Sequence, residues 1–409
     1  MMKTSQKVIE KVTIIILILS SCRCFYLLPL PQVFLNLPSN VLFCAVVTIL
    51  SFVVIGVLCK KYYWGKFGHE IIWLYCILAM NLFFVIYKYG YNYKTIFMTF
   101  MPFILFLGYF PIIEYLYTNK YGIDSFIRII LNISSILAVV LLVQSFIFHS
   151  SSVIFLKIAV PDPEAFSGRF YDVSEGIIRI SVIISSWLLI KEKFKFSNLI
   201  NLLLCLLSIV FVDQSRIYLA AVLISIIFMV ILNSKNSPSI FKIFIYLCLI
   251  VISVFIIYNL YSSIINTLAD ARNGSNYARK EAIEYYLANI KSFWLTGYGL
   301  VVPDKYNIFY TFIKGPIGIY NYSDIGIFGI FASLGIFAVV WYIWVILKGI
   351  YLTHKINNKY RILCWGLLME MIVSIVTMTY FDASRIFSFL LVLAILSYAT
   401  TVKSELRQN

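Results

Sequence analysis

The sequence predicts an all-α polytopic membrane protein of about twelve transmembrane helices. Both termini are expected to be cytoplasmic, with one long extracytoplasmic loop between the ninth and tenth helices. Three observations predict this. The 409 residues are 62% hydrophobic and only 12% charged, with a mean hydropathy of +0.92, values that soluble globular domains do not reach. Apolar runs of about 18 residues or more recur along the chain, each long enough to cross a ~30 Å hydrocarbon core. Lys and Arg are dense in alternate loops and sparse in the others, the asymmetry that orients membrane helices.

The apolar runs lie near 12–30, 41–59, 71–87, 95–117, 127–149, 176–190, 198–212, 217–233, 241–262, 324–347, 361–380 and 386–402. The alternation of a membrane barrel is absent. The basic start followed by Val12–Ser21 resembles a signal peptide, but the apolar run continues through Cys24, Phe25 and Leu30, so a retained first helix is expected. With the N-terminus inside, only Lys88, Lys94, Lys157, Arg169, Arg216 and Arg385 fall in the short outer loops. The net charge of +15 follows mostly from this bias, and no nucleic acid partner is needed to explain it. The eight cysteines all lie in apolar runs without a CxxC pair and read as small core hydrophobes. The three histidines are far apart in sequence, so no metal site is expected, and no cofactor.

Two outer segments are large: 150–175 and 263–323. The second holds an expected amphipathic helix over 277–296. Its apolar face comprises Ile283, Tyr286, Leu287, Ile290, Phe293 and Trp294, spaced as i, i+3, i+4, i+7, i+10 and i+11,. Arg279 precedes Ile283 by four residues and so points to that face. A cation in a helix's first turn opposes the macrodipole, so local stability does not explain it. It is either a functional cation aimed into the protein body or a side chain snorkelling to headgroups. Gly297 is expected to end the helix in a left-handed cap.

Further arginines gather on the same side. The runs 198–212 and 217–233 rise only about 22–26 Å, so the turn Asp213-Gln214-Ser215-Arg216 is expected below the outer membrane surface. A charge there needs a partner or a wet cavity, and a local Asp213–Arg216 pair is the plain alternative. Asp213–Tyr218 has an echo in Asp382–Phe387: both read D-x-S-R-I-aromatic. Arg179 lies near the same boundary. Glu370, near the middle of its run, needs a partner, for which Arg23 is a candidate. Guanidinium forks in a shallow outward cavity suit the bidentate binding of a lipid-linked pyrophosphate. Tyr298, Trp294 and Tyr322 then offer platforms for its sugar, or else form an interfacial aromatic belt.

The layout resembles the Wzy-type O-antigen and capsular polysaccharide polymerases of the O-antigen ligase superfamily. Arg216 in DQSRIYLA is similar to that family's Ser-Arg motif. Arg279 with WLTGYG is similar to its Arg-helix-Gly-x-Gly element, and YNYSDIGIFGIFASLGIF to the segment entering its tenth helix. The ligases carry a histidine where the loop meets the tenth helix. Here no histidine lies between His149 and His354, and the acidic candidate is Asp324. The resemblance implies a metal-independent glycosyltransferase in the bacterial cytoplasmic membrane. It joins undecaprenyl-pyrophosphate-linked repeat units on the outer face. The same lipid carries donor and acceptor, and a chain-length regulator protein is an implied partner. Arg216, Arg279, Arg385 and Arg179 would hold pyrophosphate. Asp324, or failing it Glu175, would be the general base, with a helix cap the alternative for Asp324. Gly326, Gly329 and Ser333 share a face that should permit close packing. The alternatives are a ligase of the same superfamily and, from another class, a lipid-oligosaccharide flippase.

Overall fold

The computed structural model describes residues 2–22, 37–59, 63–119, 122–151, 159–161, 170–172, 175–191, 195–233, 275–300, 314–316, 318, 320–356, 359–376, 378, 380–382 and 384–405. Their regular structure is helical apart from one short ribbon. The helices are α1 (Met2–Ser21), α2 (Leu37–Cys59), α3 (Gly68–Tyr89), α4 (Tyr93–Phe100), α5 (Tyr109–Thr118), α6 (Gly122–Ser151), α7 (Glu175–Lys191), α8 (Phe196–Ser208), α9 (Arg216–Leu232), α10 (Ser275–Asn289), α11 (Gly326–Lys355), α12 (Arg361–Ser374) and α13 (Ile386–Glu405). A 3-10 stretch, Met101–Gly108, joins α4 to α5. The ribbon pairs β1 (Ala159–Pro161) antiparallel with β2 (Phe170–Asp172).

Helices overlap eleven of the twelve apolar runs; 23–30 of the first run and all of 241–262 lie outside the described residues, and the helix in 361–380 ends at Ser374. Six described helical stretches are long and apolar enough to cross a membrane: Val41–Leu58, Gly68–Tyr89, Met101–Thr118, Gly122–Phe148, Phe196–Asp213 and Gly326–Lys355. The interior is built on α7, whose residues from Gly176 to Ile190 are all buried, and on α13, buried from Ile386 to Leu396. α7 packs on α8, α9, α12 and α13. Of the cysteines, Cys22, Cys44, Cys205 and Cys364 are buried as expected, whereas Cys76 is exposed on α3.

With water excluded, the polar side chains inside the bundle bond one another. Asn201 Oδ1 accepts from Ser181 and Ser185 at 2.8 Å each, and its Nδ2 donates to the Leu131 carbonyl at 2.9 Å, tying α6, α7 and α8 together. Such bonds are worth about 0.6–2 kcal/mol each in a membrane interior.

The helices define two ends. At one, Trp187 donates to the Lys359 carbonyl at 3.1 Å, Lys359 meets Asp124, and Lys348 pairs with Glu70. At the other gather the starts of α7, α9, α11 and α13 and the end of α12. Close packing there requires glycine. A Cβ on Gly326 would lie 1.8 Å from the Ile375 carbonyl oxygen, and one on Gly329 1.7 Å from that of Tyr322. The shared small-residue face expected for this helix is thus used against two backbones.

Candidate active site at one end of the bundle

The second end holds a buried charged network. Arg179, the fifth residue of α7, is 1% exposed. It pairs with Glu370 of α12 at 2.8 Å and lies 3.8 Å from the centre of the Tyr218 ring. Glu370 also accepts from Tyr380 at 2.8 Å. Among the described residues the partner of Glu370 is Arg179; the candidate Arg23 lies outside them. The network continues through the Tyr218 hydroxyl. Its hydroxyl donates to Glu175 Oε1 at 2.7 Å, the same oxygen that accepts from Arg385 Nε at 3.2 Å. Arg385 Nη1 donates to the Ser323 carbonyl at 3.3 Å and lies 3.8 Å from Asp382.

That carbonyl belongs to the residue before Asp324. Asp324 Oδ2 accepts from Asn321 Nδ2 at 3.2 Å, and Oδ1 from the Ser323 hydroxyl at 3.3 Å. The carboxylate does not cap α11: Ile325 occupies the cap position, with no side-chain bond there. Asp324 is instead oriented by its own short turn, half-buried, next to the arginine-bonded Ser323 carbonyl. Lys314 lies near it. Burial pulls the Lys314 ammonium below its usual pKa, and the Asp324 charge opposes that pull,.

Arg216 opens α9 and is exposed, whereas Asp213 before it is buried. Among the described residues Arg216 makes no ion pair, so the local pairing alternative is not what the turn forms. The turn is a π-type ending, Ile209–Asp213, closed by Gln214 in the left-handed region at φ 50°. β2 packs on it. The two D-x-S-R-I-aromatic copies meet through Tyr218 of the first, 5.9 Å from Arg385 of the second.

The amphipathic helix is α10 with one 3-10 turn, Ile290–Ser292, four residues shorter than the expected end at 296. Its buried stripe is Ala282, Tyr286 and Ile290, with Ile283 and Phe293 partly buried, packed against Tyr298, Tyr320, Ile325 and Ala332. Leu287 and Trp294 are exposed, at 40% and 52%. The stripe thus turns away from the expected face at these two positions. Small Ala282 lets the backbone approach α11, and the tighter 3-10 turn carries Trp294 out of phase. Arg279 is half-buried, the fifth residue of α10 and three residues before Ala282. Tyr298 is buried, and Gly297 is left-handed at φ 67° as expected. Tyr322 is half-buried; burial pushes its phenol up to about 12, with Asp382 adding to the rise.

The structure therefore joins Glu175, Arg179, Arg385 and, through Ser323, Asp324 in one contiguous network. Arg216 stands exposed at the same end, and Arg279 with Tyr298 belongs to the α10 cluster beside α11. Tyr218, Tyr380, Asn321 and Lys314 were not singled out from sequence. Only Tyr218 carried a signal, as the aromatic of the repeated motif.

An all-helical membrane protein with buried arginine–carboxylate pairs at one end defines the class. Within it, residues 201–343, about a third of the chain, match the family model described as O-antigen ligase. The match supports the O-antigen ligase superfamily, whose members are membrane enzymes acting on lipid-linked glycans. It spans Arg216, Arg279, Trp294, Tyr298, Tyr322 and Asp324, and leaves out Glu175, Arg179 and Arg385. No curated protein compared with the chain matches it.

Proposed function

We propose that the chain is a polysaccharide polymerase that joins undecaprenyl-pyrophosphate-linked repeat units on the outer face of the cytoplasmic membrane. The observation that carries this reading is the acid at the loop–α11 junction. Asp324 is held by Asn321 and Ser323 next to an arginine-bonded carbonyl, in a stretch with no histidine from 150 to 353. A ligase of the histidine type has no counterpart for its histidine here.

In this reading the acceptor sugar hydroxyl attacks the anomeric carbon of the donor. Asp324 takes the hydroxyl proton, and the lipid pyrophosphate leaves with the electrons of the broken C–O bond. Pyrophosphate needs charge stabilisation more than protonation. Arg216, exposed at the start of α9, and Arg279 supply the forks for it. Arg179 and Arg385 have carboxylate partners at 2.8 and 3.2 Å. Their role is then to shape and hold the site, with Glu175 bound into the same framework. Tyr298, Trp294 and Tyr322 are in this reading the platforms for the sugar, of which Trp294 is exposed and Tyr298 buried.

Glycan profiling of a deletion strain tests the reading. Single repeat units still attached to their final carrier, with the polymer lost, are expected. Loss of all attached units would mean a ligase, and unpolymerised units trapped on the inner leaflet a flippase. Arg216→Lys and Arg279→Lys keep the charge but lose the planar fork. Each is expected to shorten or abolish polymer at normal protein level, and wild-type chain length in either would remove that residue from the site.

The orientation has its own test. Lys280 on α10 and Lys355 at the end of α11 are both exposed. Lys280→Cys is expected to add labelling by an impermeant maleimide in intact cells, and Lys355→Cys only after lysis. The reverse pattern would invert the topology.

A further inference from the structure

α11 is broken. Gly335 sits at φ 75°, ψ −170° inside it, so the bond an unbroken helix makes from the Ile336 amide to the Ala332 carbonyl is missing. Both groups are re-satisfied from outside the helix. The Tyr298 amide donates to the Ala332 carbonyl at 2.7 Å, and the Ile336 amide donates to the Trp294 carbonyl at 3.0 Å. The turn from Trp294 to Tyr298 thus replaces one rung of the ladder. The fit needs hydrogen on both backbones. A Cβ on Gly335 would lie 2.0 Å from the Leu295 carbonyl oxygen, and one on Gly297 2.6 Å from that of Ala332.

A third segment closes the join. Asn81 of α3 is fully buried, where an unsatisfied amide would be costly. Its Nδ2 donates to the Thr296 carbonyl at 2.9 Å and to the Ser333 carbonyl at 3.4 Å, and its Oδ1 accepts from the Leu300 amide at 3.1 Å. One side chain therefore holds the inserted turn at Thr296, the residue Leu300 just after it, and the Ser333 carbonyl beside the break. From Gly326 to Gly335, and from Asn81 to Tyr89, the helical rise is about 12–14 Å. The turn thus sits well inside the bundle rather than over its end. Irregular backbone at such depth persists only where protein buries it or water lines it.

We propose that Asn81 is a positioning residue. It latches the 294–300 turn into the break of α11, and this seat sets where α10 carries Arg279. The inference rests on the pyrophosphate role of Arg279 proposed above. The latch itself does not depend on any reaction.

Two variants loosen the seat from opposite sides. Asn81→Ala removes the side-chain bonds. Gly335→Ala puts a methyl where the Leu295 carbonyl lies and favours a continuous α11, so the fold is retained while the turn is expelled. Hydrogen exchange of the full chain in nanodiscs, without substrate, reads the latch. In the wild type the Tyr298, Leu300 and Ile336 amides are expected to exchange as slowly as the rest of α11. In Asn81→Ala, exchange is expected to rise together in 294–300 and 332–337, with the Asp124–Lys359 end unchanged. In Gly335→Ala it is expected to rise in 294–300 alone. Fast exchange of 294–300 in the wild type, or no change in either variant, overturns the latch.

Polymerisation assays with purified lipid-linked repeat units read the positioning. Asn81→Ala and Arg279→Ala are each expected to raise the donor KM on the order of 10–100-fold, as for lost charged hydrogen bonds, with kcat less affected. The double variant is expected to be no worse than Arg279→Ala, because both act through one contact. Additive effects would overturn positioning through Arg279. Absence of any polymerase activity in the wild type would overturn the proposed function and leave the exchange result standing.

Discussion

Asp324→Asn is expected to yield a normally expressed protein that makes little or no polymer. The substitution is nearly isosteric, and Asn retains one carbonyl oxygen to accept from Asn321 or Ser323. It removes no helix cap, since the α11 cap position belongs to Ile325 and carries no side-chain bond. What it removes is a base. An amide does not accept a proton at neutral pH, and loss of general base catalysis costs on the order of 10²–10⁴ in rate. Polymer length on gels, read beside protein level, checks this. Glu175→Gln is the contrast, because Glu175 Oε1 receives both Tyr218 and Arg385. Normal polymer from Asp324→Asn, with none from a well-expressed Glu175→Gln, would move the base to Glu175.

Glu370→Gln is expected to destabilise the protein by about 3–5 kcal/mol, the cost of breaking a buried ion pair from one side. The reason is geometric. Arg179 and Glu370 are 1% and 3% exposed, so the remaining guanidinium would stay charged with no water to replace its partner. Thermal unfolding in detergent measures the loss. The double variant Arg179→Met with Glu370→Leu removes both charges and is expected to regain most of it. Recovery of polymer in the same double variant would establish that Arg179 holds the site together rather than binding pyrophosphate. An unchanged melting temperature in Glu370→Gln would show that the pair contributes nothing to stability.

Much of the helical layout was legible because a bilayer leaves few solutions. Apolar length and backbone hydrogen bonding dictate where helices run, and described helices fall in eleven of the expected runs. The Gly326–Gly329–Ser333 face and the left-handed Gly297 were legible for similar local reasons. The partners of charges were not. Glu370 needed a cation by its depth alone, yet Arg179 lies almost two hundred residues earlier in the chain, and spacing does not carry that distance. The face of α10 was read correctly at Ile283, Tyr286 and Ile290. It was misread at Leu287 and Trp294, because a 3-10 turn changes the period and only contact with α11 sets the rotation.

The sequence by itself determined a helical membrane protein with arginines and an acid gathered at one end. Hydrophobic length, loop charge and short motifs are local properties of the chain. Only the tertiary structure decided which arginines are held by carboxylates, that Tyr218 lies close to two of them, and that Asn81 bonds a turn seated in a broken helix. Those are pairings between distant segments, made because buried charges and freed backbone groups in a water-poor interior must find partners wherever the fold brings them.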